Sequence, residues 1–401
     1  MKIGIIKEEK IPIDKRVPLT PQQCTQLLKL YPSLQIAVQP SSIRAFADAE
    51  YRNQNIALQE DLSDCDVLLG VKEVPVQSLL PHKTYLFFSH TYKKQPYNRG
   101  LLQAILAKKI RLIDYEMLKE PSGKRLLGFG RYAGIVGAYN AFRVYGEMSG
   151  AYTLKPAHKC HSRSELETEL VKVILPQDFS IAITGAGKVA AGAMEILSAL
   201  KITHVFPEEF LNQEFKKEPT YTQLDVRNYF KRKDGKGFTR HQFFKAKGGY
   251  QSNFMPYAQL TDMYIACHFW SETSPYIFTR EDAKNPDFKI QVISDISADI
   301  DGPVASTLRP STIEHPFYGY HPGKEQEVPL GTPESIGISA VDNLPCELPR
   351  DASLDFGNEF IKNVIPHFFN NDEHQILERA TQTNQQGQLT QAFAYLHDYV
   401  S

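Results

Sequence analysis

Short apolar runs alternate with amphipathic ones over the first 115 residues. "KIGIIKE", "LQIAVQP", "CDVLLGVKE", "TYLFFSH" and "IRLIDYE" have the length and composition of strands. Between them, "PQQCTQLLKLY" and "LLQAILAKK" repeat apolar residues at helical spacing. That alternation predicts βαβ units, a parallel sheet with helices on its faces. Functional groups in such sheets gather at the carboxyl ends of the strands. Lys72, His90 and Glu116 each fall just after an apolar run, so all three are expected along one edge. The stretch "FFSHTYKKQ" turns abruptly from apolar to polar at His90.

From Gly128 the sequence "GFGRYAGIVGAYNAFRVYGEMSGAY" is rich in small residues and takes helical spacing after Ala133, which predicts a tightly packed helix leading out of the first domain. A second α/β pattern follows: the strand "FSIAITGAG", the helix "KVAAGAMEILSAL", then the strands "ITHVF", "DMYIACHFW" and "IQVISDIS". Residues 211–258, rich in Lys, Arg, Tyr and Phe, carry no clean period and receive no assignment beyond an insertion or irregular element. The helix-rich end of the chain reads as a return to the first domain. The expectation is an α/β protein of two Rossmann-like domains with parallel sheets and an interdomain active-site cleft. Residues 1–135 plus about 321–401 form the substrate domain, and 136–320 the dinucleotide-binding domain.

"ITGAGKVAAGAMEIL" places Gly185, Gly187 and Ala190 in a G-x-G-x-x-A pattern between a strand and a helix. In that context backbone N–H groups at the helix N-terminus receive a dinucleotide pyrophosphate. The cofactor-binding set expected here is Gly185, Gly187, Lys188, Val189 and Ala190. The acid that holds the adenosine ribose should end the next strand, near "HVFPEEF", where Phe206 and Pro207 come first and Glu208 and Glu209 are displaced. A missing acid leaves room for a 2'-phosphate, which favours NADP(H), with NAD(H) as the alternative.

A chain of 401 residues with 42% hydrophobic and 23% charged residues is that of a globular protein of two or three domains. The net charge of -1 gives no electrostatic reason to seek nucleic acid or an anionic membrane. No apolar stretch is long enough to span a bilayer, and "MKIGIIKEEKIPIDKR" has no signal-peptide core, so a cytoplasmic location is expected. The five cysteines, Cys24, Cys65, Cys160, Cys267 and Cys346, are scattered without metal-ligand spacing and read as reduced thiols, with no metal expected.

A second constellation comprises Arg16, Lys72, Glu73, His90, Glu116 and Arg125, with Asp295 and Asp299 of "ISDISADIDG" further on. Singly, each has a plain explanation: a solvated strand end, a surface cation, a histidine at a core edge. Their positions at strand ends of a cofactor-binding fold favour chemistry instead.

"GVKEVP", "FFSHTYKKQ", "GFGRYAGIVGAYNAF", "ITGAGKVAAGAMEIL", "ACHFWSETSPYIFTREDA", "ISDISADIDGPVASTLRPSTIEHPF" and "AVDNLPCELPRDAS" occur in this order. They resemble the lysine-ketoglutarate reductase domain of the bifunctional aminoadipic semialdehyde synthases. More distantly the chain is similar to the lysine-forming saccharopine dehydrogenases, alanine dehydrogenase and transhydrogenase. The resemblance implies the reversible reductive condensation of L-lysine with 2-oxoglutarate to saccharopine, using NADPH or NADH, in a monomer or homodimer without nucleic-acid or membrane partners. It implies Lys72 and His90 as the proton-transfer pair, and Arg16 and Arg125 as receivers of substrate carboxylates. Glu73 and Glu116 would hold amino groups or relay protons, and Asp299 would lie near the nicotinamide, with Asp295 structural. Glu73, adjacent to Lys72, is expected to raise its pKa. Arg131 and Tyr132 replace a Gln-Trp pair of the human-type domains and add a cation beside the expected cleft. The downstream saccharopine dehydrogenase partner fused in the bifunctional enzymes is expected to be absent. The rival readings are an alanine dehydrogenase-like enzyme using pyruvate and ammonia, and a non-catalytic cofactor-binding relative.

Overall fold

The computed structural model of the protein describes residues 1–213, 217–246 and 248–401. They divide into two units, Met1–Phe129 with Pro349–Ser401, and Gly130–Leu348.

In the first unit, β1 (Lys2–Ile5), β2 (Gln35–Val38), β3 (Ala57–Leu58), β4 (Val67–Leu69), β5 (Thr84–Phe87) and β6 (Arg111–Asp114) form one sheet. Its order is β3-β2-β1-β4-β5-β6, and every neighbouring pair is parallel. Side chains alternate between two apolar faces, as the strand period of two requires. Ile3, Ile5, Leu69, Leu86 and Ile113 pack with Phe356 and Phe360 of the returning helix Pro349–Asn363. Leu68, Tyr85, Phe87 and Leu112 face the other way, onto Leu101 and Ile105 of the helix Arg99–Ala107. Burial on both faces explains why these strands read as unbroken apolar runs. The order reverses between β1 and β4, and at such a switch point the carboxyl ends of the two strands diverge and open a crevice.

The second unit contributes β7 (Ser180–Thr184), β8 (Thr203–His204), β9 (Thr220–Leu224), β10 (Phe230–Arg232), β11 (Tyr250–Ser252), β12 (Met263–Ala266), β13 (Val292–Asp295), β14 (Phe317–His321), β15 (Gln326–Val328) and β16 (Ile336–Ser339). Its main sheet runs β15-β14-β16-β13-β12-β7-β9-β8, parallel from β16 to β8, with β14 and β15 antiparallel at one edge. β10 and β11 make a separate antiparallel pair. The chain therefore returns to the first unit at Pro349, not near residue 321. β14 hydrogen-bonds to β16 and β16 to β13, which ties residues 317–339 into the second sheet. The helix leaving the first unit is Gly130–Ser149, buried almost continuously from Tyr132 to Gly146. It crosses the helix Lys188–Ala199 at backbone contact: a Cβ on Gly134 would meet the Val189 carbonyl oxygen at 1.9 Å, and one on Gly192 the Arg131 carbonyl oxygen at 1.9 Å.

Residues 211–258 are more regular than their sequence suggests. They hold β9, an inner strand beside β7, then β10, the helix Arg240–Lys245 and β11. Residues 214–216 and 247 of that stretch lie outside the described residues. No helix among the described residues is long and apolar enough to cross a membrane.

Candidate active site

All six polar residues singled out in the first unit lie on segments that follow strands at the carboxyl edge of its sheet. Arg16 follows β1, Lys72 and Glu73 follow β4, His90 follows β5, and Glu116 and Arg125 follow β6. β1 and β4 flank the switch point.

At the end of β5 the chain turns at His90, whose φ of 53° and ψ of 14° are left-handed. Histidine is one of the few side chains enriched there, and the strain of such a conformation is tolerated where surrounding contacts fix it. Those contacts are present. His90 Nδ1 and Glu73 Oε1 are 2.7 Å apart, and Asn98 Nδ2 donates to the Ser89 carbonyl at 3.0 Å. The Ser89 hydroxyl donates to Asp114 Oδ2 and lies 2.7 Å from the Thr91 hydroxyl. Thr91 Oγ1 donates to Gln382 Oε1 at 2.6 Å. Asp114, fully buried, also receives the Glu116 backbone N–H at 2.7 Å and Gln382 Nε2 at 3.1 Å, so one carboxyl ties the His90 turn to the Glu116 turn. Burial pushes its pKa up to about 6 against the Ser89 hydrogen bond.

Glu73 is 8% exposed and accepts from Lys10 Nζ at 2.5 Å as well as from His90. Burial alone would raise its pKa, but the hydrogen bonds from His90 and Lys10 outweigh it and hold the carboxyl at about 2. Lys72 is the contrasting case. No hydrogen bond or ion pair reaches its ammonium among the described residues, and burial together with the Arg16 charge lowers its pKa, with Asp14 and Glu73 opposing. The neighbouring carboxylate does act in the expected direction, but desolvation and Arg16 prevail.

Arg16 is 3% exposed and its guanidinium forks onto Asp14, Nε to Oδ1 at 3.0 Å and Nη2 to Oδ2 at 2.5 Å, while lying 4.1 Å from the Phe129 ring centroid. Arg125 is the accessible arginine of the pair, its side chain 44% exposed, with Nη2 on Glu116 Oε1 at 2.9 Å. Glu116 Oε2 is buried without a hydrogen-bond partner among the described residues.

Sequence reasoning missed Glu8, Lys10, Asp14, Asn98, Asp114 and Gln382. Glu8 accepts the backbone N–H groups of Val71 at 2.6 Å and Lys72 at 2.9 Å, bracing the turn that carries Lys72. Burial and the Asp14 charge raise its pKa to about 8, against those N–H groups and Arg16. Asp114 had a readable signal as the acid closing the apolar run "IRLID".

In the second unit the glycine-rich turn leaves β7 as expected. Gly185 has φ +101°, and a Cβ there would lie 2.6 Å from the Cys267 carbonyl oxygen, so only glycine fits. A Cβ on Gly187 meets nothing within 4 Å, and Gly187 caps the helix Lys188–Ala199. Gly185, Gly187, Lys188 and Val189 line a cavity of about 460 Å³ together with Asp225, Arg240 and Phe244. Ala190 is buried behind the turn, where a small side chain lets helix and strand approach. An open turn, a helix N-terminus and an adjoining cavity fit a dinucleotide.

β8, which carries "HVF", is the outer strand, whereas β9 is the neighbour of β7 and is followed directly by Asp225. Asp299 lies on the segment after β13 and is not among the cavity-lining residues. Asp295 is fully buried and receives the Ser297 and Thr307 hydroxyls at 2.9 and 2.8 Å, as a structural acid would. Arg131 adds no loose cation: its fork is taken by Glu195, at 2.6 and 2.8 Å.

Residues 4–136 match the family described as alanine dehydrogenase/PNT, N-terminal domain. The mitochondrial alpha-aminoadipic semialdehyde synthase of Bos taurus is 31% identical, over 92% of this chain and 43% of that protein. The chain thus spans less than half the length of that relative. The lysine-forming, NAD(+) saccharopine dehydrogenase of Schizosaccharomyces pombe is 23% identical, over 90% of this chain and 91% of the relative. Among solved structures, an L-alanine dehydrogenase aligns over 100% of both chains at a TM-score of 0.67 and 15% identity, a likeness of fold.

Proposed function

We propose, from a chain that sits with the aminoadipic semialdehyde synthases and lysine-forming saccharopine dehydrogenases in the alanine dehydrogenase/PNT superfamily, that it is an oxidoreductase of lysine metabolism condensing L-lysine reductively with 2-oxoglutarate to saccharopine. The observation that carries this reading is the pairing of an unpartnered, pKa-lowered Lys72 after β4 with a His90 after β5 whose Nδ1 is fixed by Glu73.

The substrate ammonium must lose a proton before its nitrogen attacks the keto carbon, and Lys72 is the base for that step, because a lysine with a lowered pKa is partly neutral nearer physiological pH. With Nδ1 on Glu73, His90 exchanges its proton through Nε2: it protonates the keto oxygen, recovers a proton from the carbinolamine nitrogen, and returns it to the hydroxyl that departs as water. Glu73 stays ionised and orients the ring. Arg125 receives a substrate carboxylate with its guanidinium held in place by Glu116. Arg16, held by Asp14, is the fixed charge that keeps Lys72 acidic. Gly185, Gly187, Lys188 and Val189 would hold a reduced nicotinamide dinucleotide, which when bound would supply the hydride for the reduction. Asp299 contributes on the nicotinamide side.

The test follows absorbance at the reduced-nicotinamide band with L-lysine and 2-oxoglutarate, with the product identified by mass. Saccharopine formation, lost in His90→Ala and Lys72→Met, is expected. Turnover with pyruvate and ammonia instead would move the chain to the alanine dehydrogenase reading.

A further inference from the structure

We infer that the segment Gln391–Val400 is a strap that positions His90, and that lifting it from the loop after β5 silences proton transfer while leaving the dinucleotide site intact. The inference rests on the role given to His90 above. Residues 91–98 leave the sheet as two single turns, Thr91–Lys93 and Pro96–Asn98, with Lys94 between them left-handed at φ 57°. Single turns close few hydrogen bonds of their own, and this loop takes further donors from the strap. The Tyr395 hydroxyl donates to the Tyr92 carbonyl at 3.0 Å, and the Tyr399 hydroxyl to the Gln95 carbonyl at 2.5 Å. Lys94 Nζ donates to both Asp398 oxygens at 2.7 Å. Phe393, Leu396 and Tyr399 of the strap form a small apolar cluster with Leu102 of the helix Arg99–Ala107, and Tyr92 packs against it.

Both ends of the loop bear on the His90 ring. At the near end, the Thr390 N–H donates to the Gln382 carbonyl at 3.0 Å, and Gln382 is the residue that joins Thr91 to Asp114, so the root of the strap lies in the His90 turn. At the far end, Asn98 Nδ2 donates to the Ser89 carbonyl and, at 3.4 Å, to Glu73 Oε1, the oxygen that holds His90 Nδ1. Tyr395 and Tyr399 grip the stretch between the two ends, which makes them positioning residues. The strap itself is lightly anchored. Its cluster holds four buried side chains, and the Lys94–Asp398 pair is exposed, where an ion pair adds little. A segment with so few buried contacts opens at far lower cost than the whole unit unfolds. A left-handed histidine persists only where its surroundings over-determine it, so opening the strap releases His90 from its place on Glu73.

The experiment compares the full chain with Tyr395→Phe, Tyr399→Phe and the double variant, with Lys94→Gln as the control. Phenylalanine keeps each ring in place and removes only the donor, so the fold is retained. The readouts are saccharopine formation from L-lysine and 2-oxoglutarate, NADH titration by fluorescence, hydrogen exchange of residues 91–98, and the His90 imidazole signals in nitrogen NMR, assigned by their loss in His90→Ala. The double variant should lose about a hundredfold in kcat, the cost of displacing a proton-transfer group by about an ångström. Exchange across 91–98 should quicken and the imidazole signals should shift as Nδ1 leaves Glu73, while NADH affinity stays that of the wild type. Lys94→Gln should keep kcat within about twofold. Faster exchange with kcat and the imidazole signals unmoved would overturn the inference, since the tyrosines would then hold the loop without holding His90. Exchange unchanged in the double variant would overturn it as well. If the wild type makes no saccharopine, the reaction reading fails alone, and the imidazole signals still decide whether the strap positions His90.

Discussion

Replacing Glu73 with glutamine isolates one charge. Glutamine keeps the shape of the side chain and an oxygen that accepts from His90 Nδ1, but removes the anion that Lys10 and His90 stabilise. The carboxyl falls from its ordinary 4.5 to about 2 in the folded chain. At about 1.4 kcal/mol per tenfold, that drop is worth roughly 3 kcal/mol of stability at neutral pH. Because the folded value is depressed, this contribution is complete above the ordinary value and is lost as the pH falls toward the folded one. Between pH 6 and pH 3 about 2 kcal/mol should disappear. The assay is urea unfolding of wild type and Glu73→Gln in parallel across that range, taking the difference in free energy at each pH so that the other carboxylates cancel. The difference should be largest at pH 6 and narrow steadily toward pH 3. A difference that stays flat, or widens in acid, would refute the view that His90 and Lys10 hold Glu73 as an anion.

Asp114 should show the opposite slope. Its folded pKa of about 6 lies above the ordinary 3.8, so ionising it costs stability as the pH rises through that window, and Asp114→Asn should remove the cost while placing an amide group against donors. The net loss expected at pH 5, from one unsatisfied buried donor, is about 1–3 kcal/mol, measured by the same urea series. In Lys72→Met, turnover should fall by about a thousandfold while NADH binding is unchanged, and the wild-type rate should rise with pH through an inflection below the ordinary lysine value of 10.5. An inflection at or above that value would contradict the lowered pKa. Gly185→Ala should weaken NADH binding roughly tenfold or more, because a Cβ 2.6 Å from the Cys267 carbonyl forces the turn open at a residue with φ +101°; unaltered binding would show that the turn can relax.

The strands that were legible in the sequence are, apart from the outer strand β8 in "ITHVF", those buried on both faces. β1, β2, β4, β5, β6, β7, β12 and β13 all appear as continuous apolar runs bounded by polar residues. β9 was missed because "TYTQL" alternates buried and half-buried positions with threonine and glutamine among them, a pattern that fits an outer strand or a loop equally well. That omission set β8 beside β7 in the expected sheet, whereas the neighbour of β7 in sequence is not its neighbour in the sheet. β14 and β15 escaped for a related reason. The antiparallel strands "FYGYH" and "QEV" carry no α-helix between them, so the βαβ rhythm ended before the sheet did.

The site shows the same limit of local reading. Adjacency in sequence set Glu73 against Lys72 and predicted a stabilised ammonium. In space, the two acids that act on Lys72 are already engaged: Asp14 on Arg16, and Glu73 on His90 and Lys10. A carboxylate whose field is shared with its own cation does little for a third charge a few ångströms further off, whereas burial acts on Lys72 undiminished. Burial first, and then the Arg16 charge, therefore leave this amine able to give up its proton, the paired acids offsetting them only in part. A variant that frees either acid, Arg16→Gln above all, should raise the pKa of Lys72 and move the rate profile to higher pH without touching the residue itself.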